Sequence, residues 1–449
     1  MNLIRVLILI CLGGCFSFAV FAQETEGPSA QEGQVSFRLS LKEALQSVDA
    51  INLQVMMANA RLEQAIARIS QAQSDLLPHI DAVASEDRQT DDLRSEGFKF
   101  PGVAPHVGPF NSFDARARVT LALFDPSAFE RFQAAKKGEV FSQAELEKTR
   151  EDILALVATL FIDAQRKGQT VKLFYALLEK DRMGYELSET NLTQGTGTEL
   201  DSNKYKSDLD QTRYLYTQAK LQSEDADLDL AAALQLPAGT TFEFVEDKDF
   251  LKQLENNAAI NFKNATNADM VLASSALEAR KADKKTAMAD FLPKVSGSAD
   301  YGRSGESPNQ GSNTYSFGVQ ATVPLWEGGA QQANLKEVNG EIKEAQENLL
   351  DATQQAQVNI AKARVAIAEA EDLRRAKIQK RQTAQRSLRI ALHAQEIGSG
   401  SVFDIMQAKA DLAMAEDEYN EAQATLVMVH IDLLHAQGRL RGLIKQGGE

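Results

Sequence analysis

Two periodicities divide the chain. Over Thr314–Val323 apolar and polar residues alternate, with Tyr315, Phe317, Val319, Ala321 and Val323 on one face and Ser316, Gly318, Gln320 and Thr322 on the other. Phe113, Ala115, Ala117, Val119, Leu121 and Leu123 alternate in the same way with Asp114, Arg116, Arg118 and Thr120. A weaker partner precedes each: Ile80, Ala82 and Ala84, and then Val295, Gly297, Ala299 and Tyr301. Period two predicts strands, so hairpins are expected at about 79–124 and about 294–325. Polar loops rich in Gly, Pro and Asn join them at about 89–112 and 302–313.

Elsewhere the pattern is helical. Ile342, Ala345, Leu349, Ala352, Ala356, Ile360, Ala363, Ile367, Ala370 and Leu373 follow steps of three and four, close to the 3.5 period of a coiled coil. All ten prolines fall outside the segments 127–194, 201–236, 330–396 and 401–437, where one would break a helix. Helices approaching seventy residues are therefore predicted, about 100 Å long at ~1.5 Å per residue. Shorter first helices are expected at about Leu41–Leu76 and Asp269–Phe291.

The elements occur twice in one order. Ser74-Asp75-Leu76-Leu77-Pro78 is echoed by Ala289-Asp290-Phe291-Leu292-Pro293, and Leu123-Phe124-Asp125 by Leu325-Trp326-Glu327. Gly195-Thr196-Gly197-Thr198-Glu199-Leu200-Asp201 is echoed by Gly398-Ser399-Gly400-Ser401-Val402-Phe403-Asp404. Ordered landmarks mark a tandem duplication, with repeats at 37–237 and 266–444, an inter-repeat segment at 238–265 and a tail at 445–449.

The N-terminus changes the picture. A basic start, an apolar run over Val6–Phe21 and Val20-Phe21-Ala22 read as a secretory signal peptide over residues 1–22. Leu12-Gly13-Gly14-Cys15 offers an alternative lipoprotein signal ending before Cys15, which would be lipidated. No other stretch is long and apolar enough for a spanning helix. In an exported chain, segments of about ten alternating residues with aromatics near the loop end are the signature of a membrane β-barrel. Bacterial barrels need at least eight strands and this chain supplies four, so several chains must share one barrel.

These residues resemble a family. Leu39-Ser40-Leu41-Lys42-Glu43-Ala44-Leu45 with Asn52-Leu53, the Leu-Pro closures at Pro78 and Pro293, Val323-Pro324-Leu325-Trp326-Glu327-Gly328-Gly329 and the two Gly-turn-Asp junctions look like the TolC-like outer-membrane factor (outer membrane efflux protein) family. The resemblance spans roughly residues 37 to 444. It implies a mainly α fold with a small β part, assembling as a homotrimer with a twelve-stranded outer-membrane barrel and a periplasmic α-helical tunnel. It further implies an exit duct for a tripartite efflux or type I secretion system in a Gram-negative bacterium. Its partners would be outer-membrane lipids, a periplasmic adaptor and an inner-membrane transporter, and residues 238–265, with Phe242-Glu243-Phe244-Val245, would form part of a belt around the tunnel.

By the same resemblance the tunnel closes at its periplasmic tip. The turns at Gly195, Gly197, Gly398 and Gly400 would meet the adaptor, and Asp201 and Asp404 would line the gate. The family's second gate aspartate falls on Gln407, a departure. Beside that reading stands plain N-capping, since Asp next to a helix start is a common cap. Arg116 and Arg118 would point into the barrel lumen or into solvent.

Composition excludes other classes. A net charge of −15 without a basic cluster argues against nucleic acid, which demands cations to displace counterions. Both cysteines lie in the first fifteen residues, leaving no thiol chemistry beyond them. His430 and His435 sit on different helix faces, and the Gly-Thr-Gly and Gly-Ser-Gly turns lack a preceding strand and the full phosphate-loop pattern. No cofactor, metal or catalytic residue is therefore expected. The competing class is an exported coiled-coil scaffold without a pore.

Overall fold

A computed structural model describes residues 36–92, 95, 97, 101, 106–245, 247–259 and 267–446. The signal segment and Cys15 lie outside the described residues. In order the elements are β1 (Ser36–Ser40), α1 (Leu41–Ile51), α2 (Leu53–Ser74), β2 (His79–Asp92), β3 (His106–Phe124), α3 (Pro126–Thr193) and α4 (Glu199–Ala233). Then come β4 (Thr241–Val245), α5 (Lys248–Ala259), α6 (Ala268–Ala289), β5 (Lys294–Gly305), β6 (Ser312–Thr322), α7 (Ala330–Glu396), α8 (Val402–Ala436) and α9 (Leu440–Gln446). The mainly helical fold with two hairpins in a duplicated unit is the one the periodicity indicates; the last helix runs into the residues read as a tail.

Local chemistry sets the boundaries. Ser40 and Glu43 form a capping box, with the Ser40 N–H donating to Glu43 Oε2 at 2.9 Å. Asp125 caps α3, accepting from the Ala128 N–H at 3.0 Å, with Pro126 in the first turn where no N–H is missed. α4 stops three residues short of the expected 236 because Gln235 is left-handed (φ 54°). Its counterpart Gly438 (φ 64°) closes α8 in the same way.

One expectation is corrected: the helix read as continuous over Leu41–Leu76 is two. Asn52 leaves helical geometry (φ −71°, ψ 125°), and its side chain accepts from the Gln54 N–H at 2.9 Å to start α2. Its amide also donates to the Ala233 carbonyl at 3.2 Å, which seats α2 on the end of α4. The second repeat makes the same joint, with Asn267 starting α6 and donating to the Ala436 carbonyl of α8 at 3.0 Å. Each pair of short helices thus forms one jointed rod beside an unbroken long helix.

The rods lie in a row. α3 packs against α2 and α4 on one side and against α6 and α8 on the other, and α7 packs outside α6 and α8. Small residues let the helices approach: Ala345, Ala356, Ala363 and Ala370 are buried on α7 together with Val338, and Ala408, Ala415 and Ala422 are among the buried residues of α8, ahead of the larger Leu426, Ile431 and Leu434. Leu373, read as part of the stripe on α7, is exposed. The main hydrophobic core gathers midway along α3, where Leu154, Val157, Phe161 and Ile162 meet Leu45 and Val48 of α1, Leu254 of α5 and Leu440 of α9. There β1 pairs in parallel with β4. Buried Glu151 of α3 accepts the Leu440 and Arg441 N–H groups at 3.0 Å each, pinning α9. Burial nonetheless pushes the Glu151 carboxyl above the usual carboxylate range.

The four longer strands form one antiparallel sheet, in the order β2-β3-β5-β6, with β2 and β6 at its edges.

Candidate functional site

The sheet separates two environments. Across it, Ile80, Val119, Ala299 and Phe317 are in register, as are Ala82, Ala117, Tyr301 and Tyr315. On this face Phe317 is 82% and Tyr315 75% exposed, a cost in water and a gain in hydrocarbon. The other face carries the in-register row Asp81, Arg118, Asp300 and Ser316. Arg116 is fixed between Asp114 (2.6 Å) and Asp300 (2.9 Å), and the Ser316 hydroxyl donates to Asp300. Eleven residues of β6 at ~3.3 Å each and a tilt of about 45° reach roughly 25 Å, the depth of a bilayer's apolar layer. No helix among the described residues is long and apolar enough to cross a membrane.

At the far end of the long helices the two turns are copies. Gly195 (φ 73°) and Gly398 (φ 75°) adopt the left-handed conformation that ends α3 and α7. Asn191 and Ala394 each receive two following N–H groups at 2.9 Å. A Cβ on Gly197 would lie 3.0 Å from the Leu192 nitrogen, and one on Gly400 3.0 Å from the Ala394 Cβ, so the returning chain passes too close for a larger residue.

Asp201 and Asp404 stand at the third position of α4 and α8. Ser401 forms a full capping box with Asp404, its N–H donating at 2.9 Å and its hydroxyl at 2.8 Å. These bonds hold the Asp404 carboxyl below its usual range. Thr198 donates to Asp201 at 2.6 Å. Within one chain both carboxylates therefore have capping geometry, and both are exposed. Gln407, one turn on, donates to Asp411 at 2.9 Å. The two tips touch where Gly184 of α3 leaves space for Tyr205 and Phe403, whose rings would lie 3.1 and 3.4 Å from a Cβ there.

A free face runs along α4. Leu200, Tyr214, Leu221 and Leu228 recur in multiples of seven and are 79, 62, 61 and 45% exposed, on the side opposite Leu209, Ala219 and Ala226, which bury against α3. The matching positions of α8, 203 residues on, are covered by α3: Phe403 lies against Gly184, and Asp417 accepts from Thr170 at 3.1 Å. Sequence reading passed over this stripe, although its spacing of seven was visible. The Asn52 joint fell inside the helix expected over Leu41–Leu76, and Asn267 stood just ahead of the one expected from Asp269, so neither joint was legible as such. No cluster of metal-binding side chains occurs among the described residues.

A row of long rods ending in tight turns, carrying an open sheet with one apolar and one charged face, is the architecture of an outer-membrane protein with long periplasmic helices. Residues 44–235 and 263–439 match the sequence profile of the outer membrane efflux protein family, and the chain belongs to that family. It is accordingly an outer-membrane protein that reaches into the periplasm. Family members are trimeric channels working with a periplasmic adaptor and an inner-membrane pump. The alkaline protease secretion protein AprF of Pseudomonas aeruginosa is 22% identical over 258 residues, 54% of this chain and 52% of the relative, so the chain spans about half the length of that relative. The fold is that of the Campylobacter jejuni CmeC outer membrane channel (TM-score 0.73, 18% identity, 89% of this chain and 85% of that one). It is also that of VceC from Vibrio cholerae (TM-score 0.71, 19% identity, 89% and 96%).

Proposed function

We propose that three copies of this chain form the exit duct of a tripartite efflux or type I secretion system. The observation that carries this reading is that sheet and helix row are both left open, at the same two margins. Four alternating strands leave β2 and β6 antiparallel, so β6 of one copy can pair with β2 of the next, and three copies close a twelve-stranded barrel. Beneath it, α7 of one copy fills the free face of α4 on the next, repeating between copies the contact that α8 makes with α3 inside one. The Arg116, Arg118 and Asp300 face then lines the lumen and the Phe317 face meets lipid.

The turns at Gly195, Gly197, Gly398 and Gly400 project farthest into the periplasm and are the surfaces offered to an adaptor, which couples the duct to an inner-membrane transporter. Asp201, Asp404 and Gln407 ring the closing end. Carboxylates around a narrow axis attract cations, and opening requires the helix pairs to splay. AprF is by name a secretion protein and CmeC an outer membrane channel, both consistent with export. A pore-free scaffold would leave Ile80, Val119 and Phe317 in water.

The test is fractionation followed by planar-bilayer recording. The protein is expected in the outer membrane, at three times the monomer mass on unboiled gels, with stepwise currents after reconstitution. A salt-extractable monomer without conductance would overturn the proposal.

A further inference from the structure

We propose that the belt of each protomer holds a binding pocket for a small, ring-bearing organic anion, separate from the conducting bore. A cavity of about 560 Å³ opens where β4 and the start of α5 cross the groove between α3 and α8, within the usual volume of small-molecule sites.

Charge is the first argument. Arg166, Lys248 and Arg381 line the cavity against one carboxylate, Asp247. That carboxylate is committed to the backbone, its Oδ1 accepting from the Asp249 and Phe250 N–H groups at 3.2 and 2.9 Å to start α5. Arg166 pairs with Asp163 at 3.5 Å and its charge also acts on Asp417, but Asp163 is held more closely by Lys167 at 2.9 Å. The Arg381 guanidinium lies over the Tyr419 ring at 3.9 Å, and its Nε is buried without a hydrogen-bond acceptor among the described residues. A shielded guanidinium donor that lacks an acceptor is costly, and an anionic oxygen placed beside it removes that cost.

The remaining walls define the body of the guest. Phe244 and Tyr419 offer aromatic surface, with Phe244 braced edge-on against Phe161 at 5.1 Å. Gln165, Gln169 and Asn420 line the cavity with side-chain amides. One or two rings can stack on the aromatics while a carboxylate or sulfonate faces Arg381. The ring is either apolar or hydroxylated, as in a sugar acid; both share the charged head.

Equilibrium dialysis of the full-length protein in nanodiscs, against protein-free nanodiscs, tests this with 1-naphthoate, its neutral amide, glucuronate and inorganic phosphate. Saturable binding of at least one ring acid is expected, one per chain, at least tenfold tighter than naphthamide or phosphate. The tighter acid tells which kind of ring the pocket takes. Arg381→Gln should weaken binding at least tenfold, whereas Arg389→Gln, exposed on the same helix and outside the cavity, should leave it unchanged. Gln169→Trp fills the cavity at constant charge and should abolish binding with circular dichroism unaltered. Equal binding of acid and amide, unchanged affinity in Arg381→Gln, or no binding by either acid overturns the proposal.

Discussion

Replacing Leu221 and Leu228 together by Asp should break the assembly while leaving the protomer folded. Both residues lie on the face of α4 turned away from α3, at 61 and 45% exposure. Fully burying a leucine contributes about 1.5–3 kcal/mol. Roughly half of that remains to be gained at these positions, so the pair contributes about 1.5–3 kcal/mol per seam and some 5–9 kcal/mol over the three seams of a trimer. Desolvating the introduced carboxylates adds to the loss. The assay is the temperature at which the oligomer band on unboiled gels gives way to monomer, checked by analytical ultracentrifugation in detergent. Leu→Ala at both sites should lower that temperature by less than Leu→Asp. If the Asp variant dissociates at the wild-type temperature with normal circular dichroism, α4 does not form the seam.

Other expectations follow from the tips, the joints and one half-buried acid. Gly398→Ala places a side chain in the left-handed region and should cost about 1–2 kcal/mol locally, seen as faster hydrogen exchange at 394–402 with exchange at the belt unchanged. Asn267→Ala removes both the cap of α6 and the bond to Ala436; a loss of about 1–2 kcal/mol should appear in urea unfolding, with new proteolysis near 436–440. Burial and the nearby Glu224 raise Asp227 from its ordinary 3.8 to about 6. An acid raised on folding favours the folded state when protonated, and that advantage is lost as pH climbs from about 4 to 6. Asp227→Asn should therefore stabilise at pH 7.5 by about 1–2 kcal/mol after allowance for partial exposure, and not at pH 4; equal effects at both would refute this. Gln407→Asp puts a second carboxylate beside Asp411 and should deepen block of the pore current by added divalent cations.

The strands and long helices were legible because their periods are uninterrupted: Tyr315–Val323 alternates without a break, and 330–396 contains no proline. What escaped depends on contacts between distant segments. Asn52 looks like any polar residue inside a helical pattern until the Ala233 carbonyl is placed beside its amide. β1 is five residues long, and its parallel partner β4 lies two hundred residues away, where no local pattern announces the pairing. At the tip, sequence located Asp201 and Asp404, yet both gate and cap need Asp at a helix start, and only coordinates bring Ser401 and Thr198 into bonding distance.

The joints at Asn52 and Asn267 have a mechanical consequence. α3 and α7 are stiff staves that run unbroken from sheet to tip, whereas the rods between them are articulated at mid-height, inside the belt core. Torque applied at the lower end of α4 or α8 is relieved at an Asn hinge rather than carried upward into α2 or α6. In the proposed trimer, the mouth of such a cask could then be prised apart while the hoop embedded in lipid keeps its diameter.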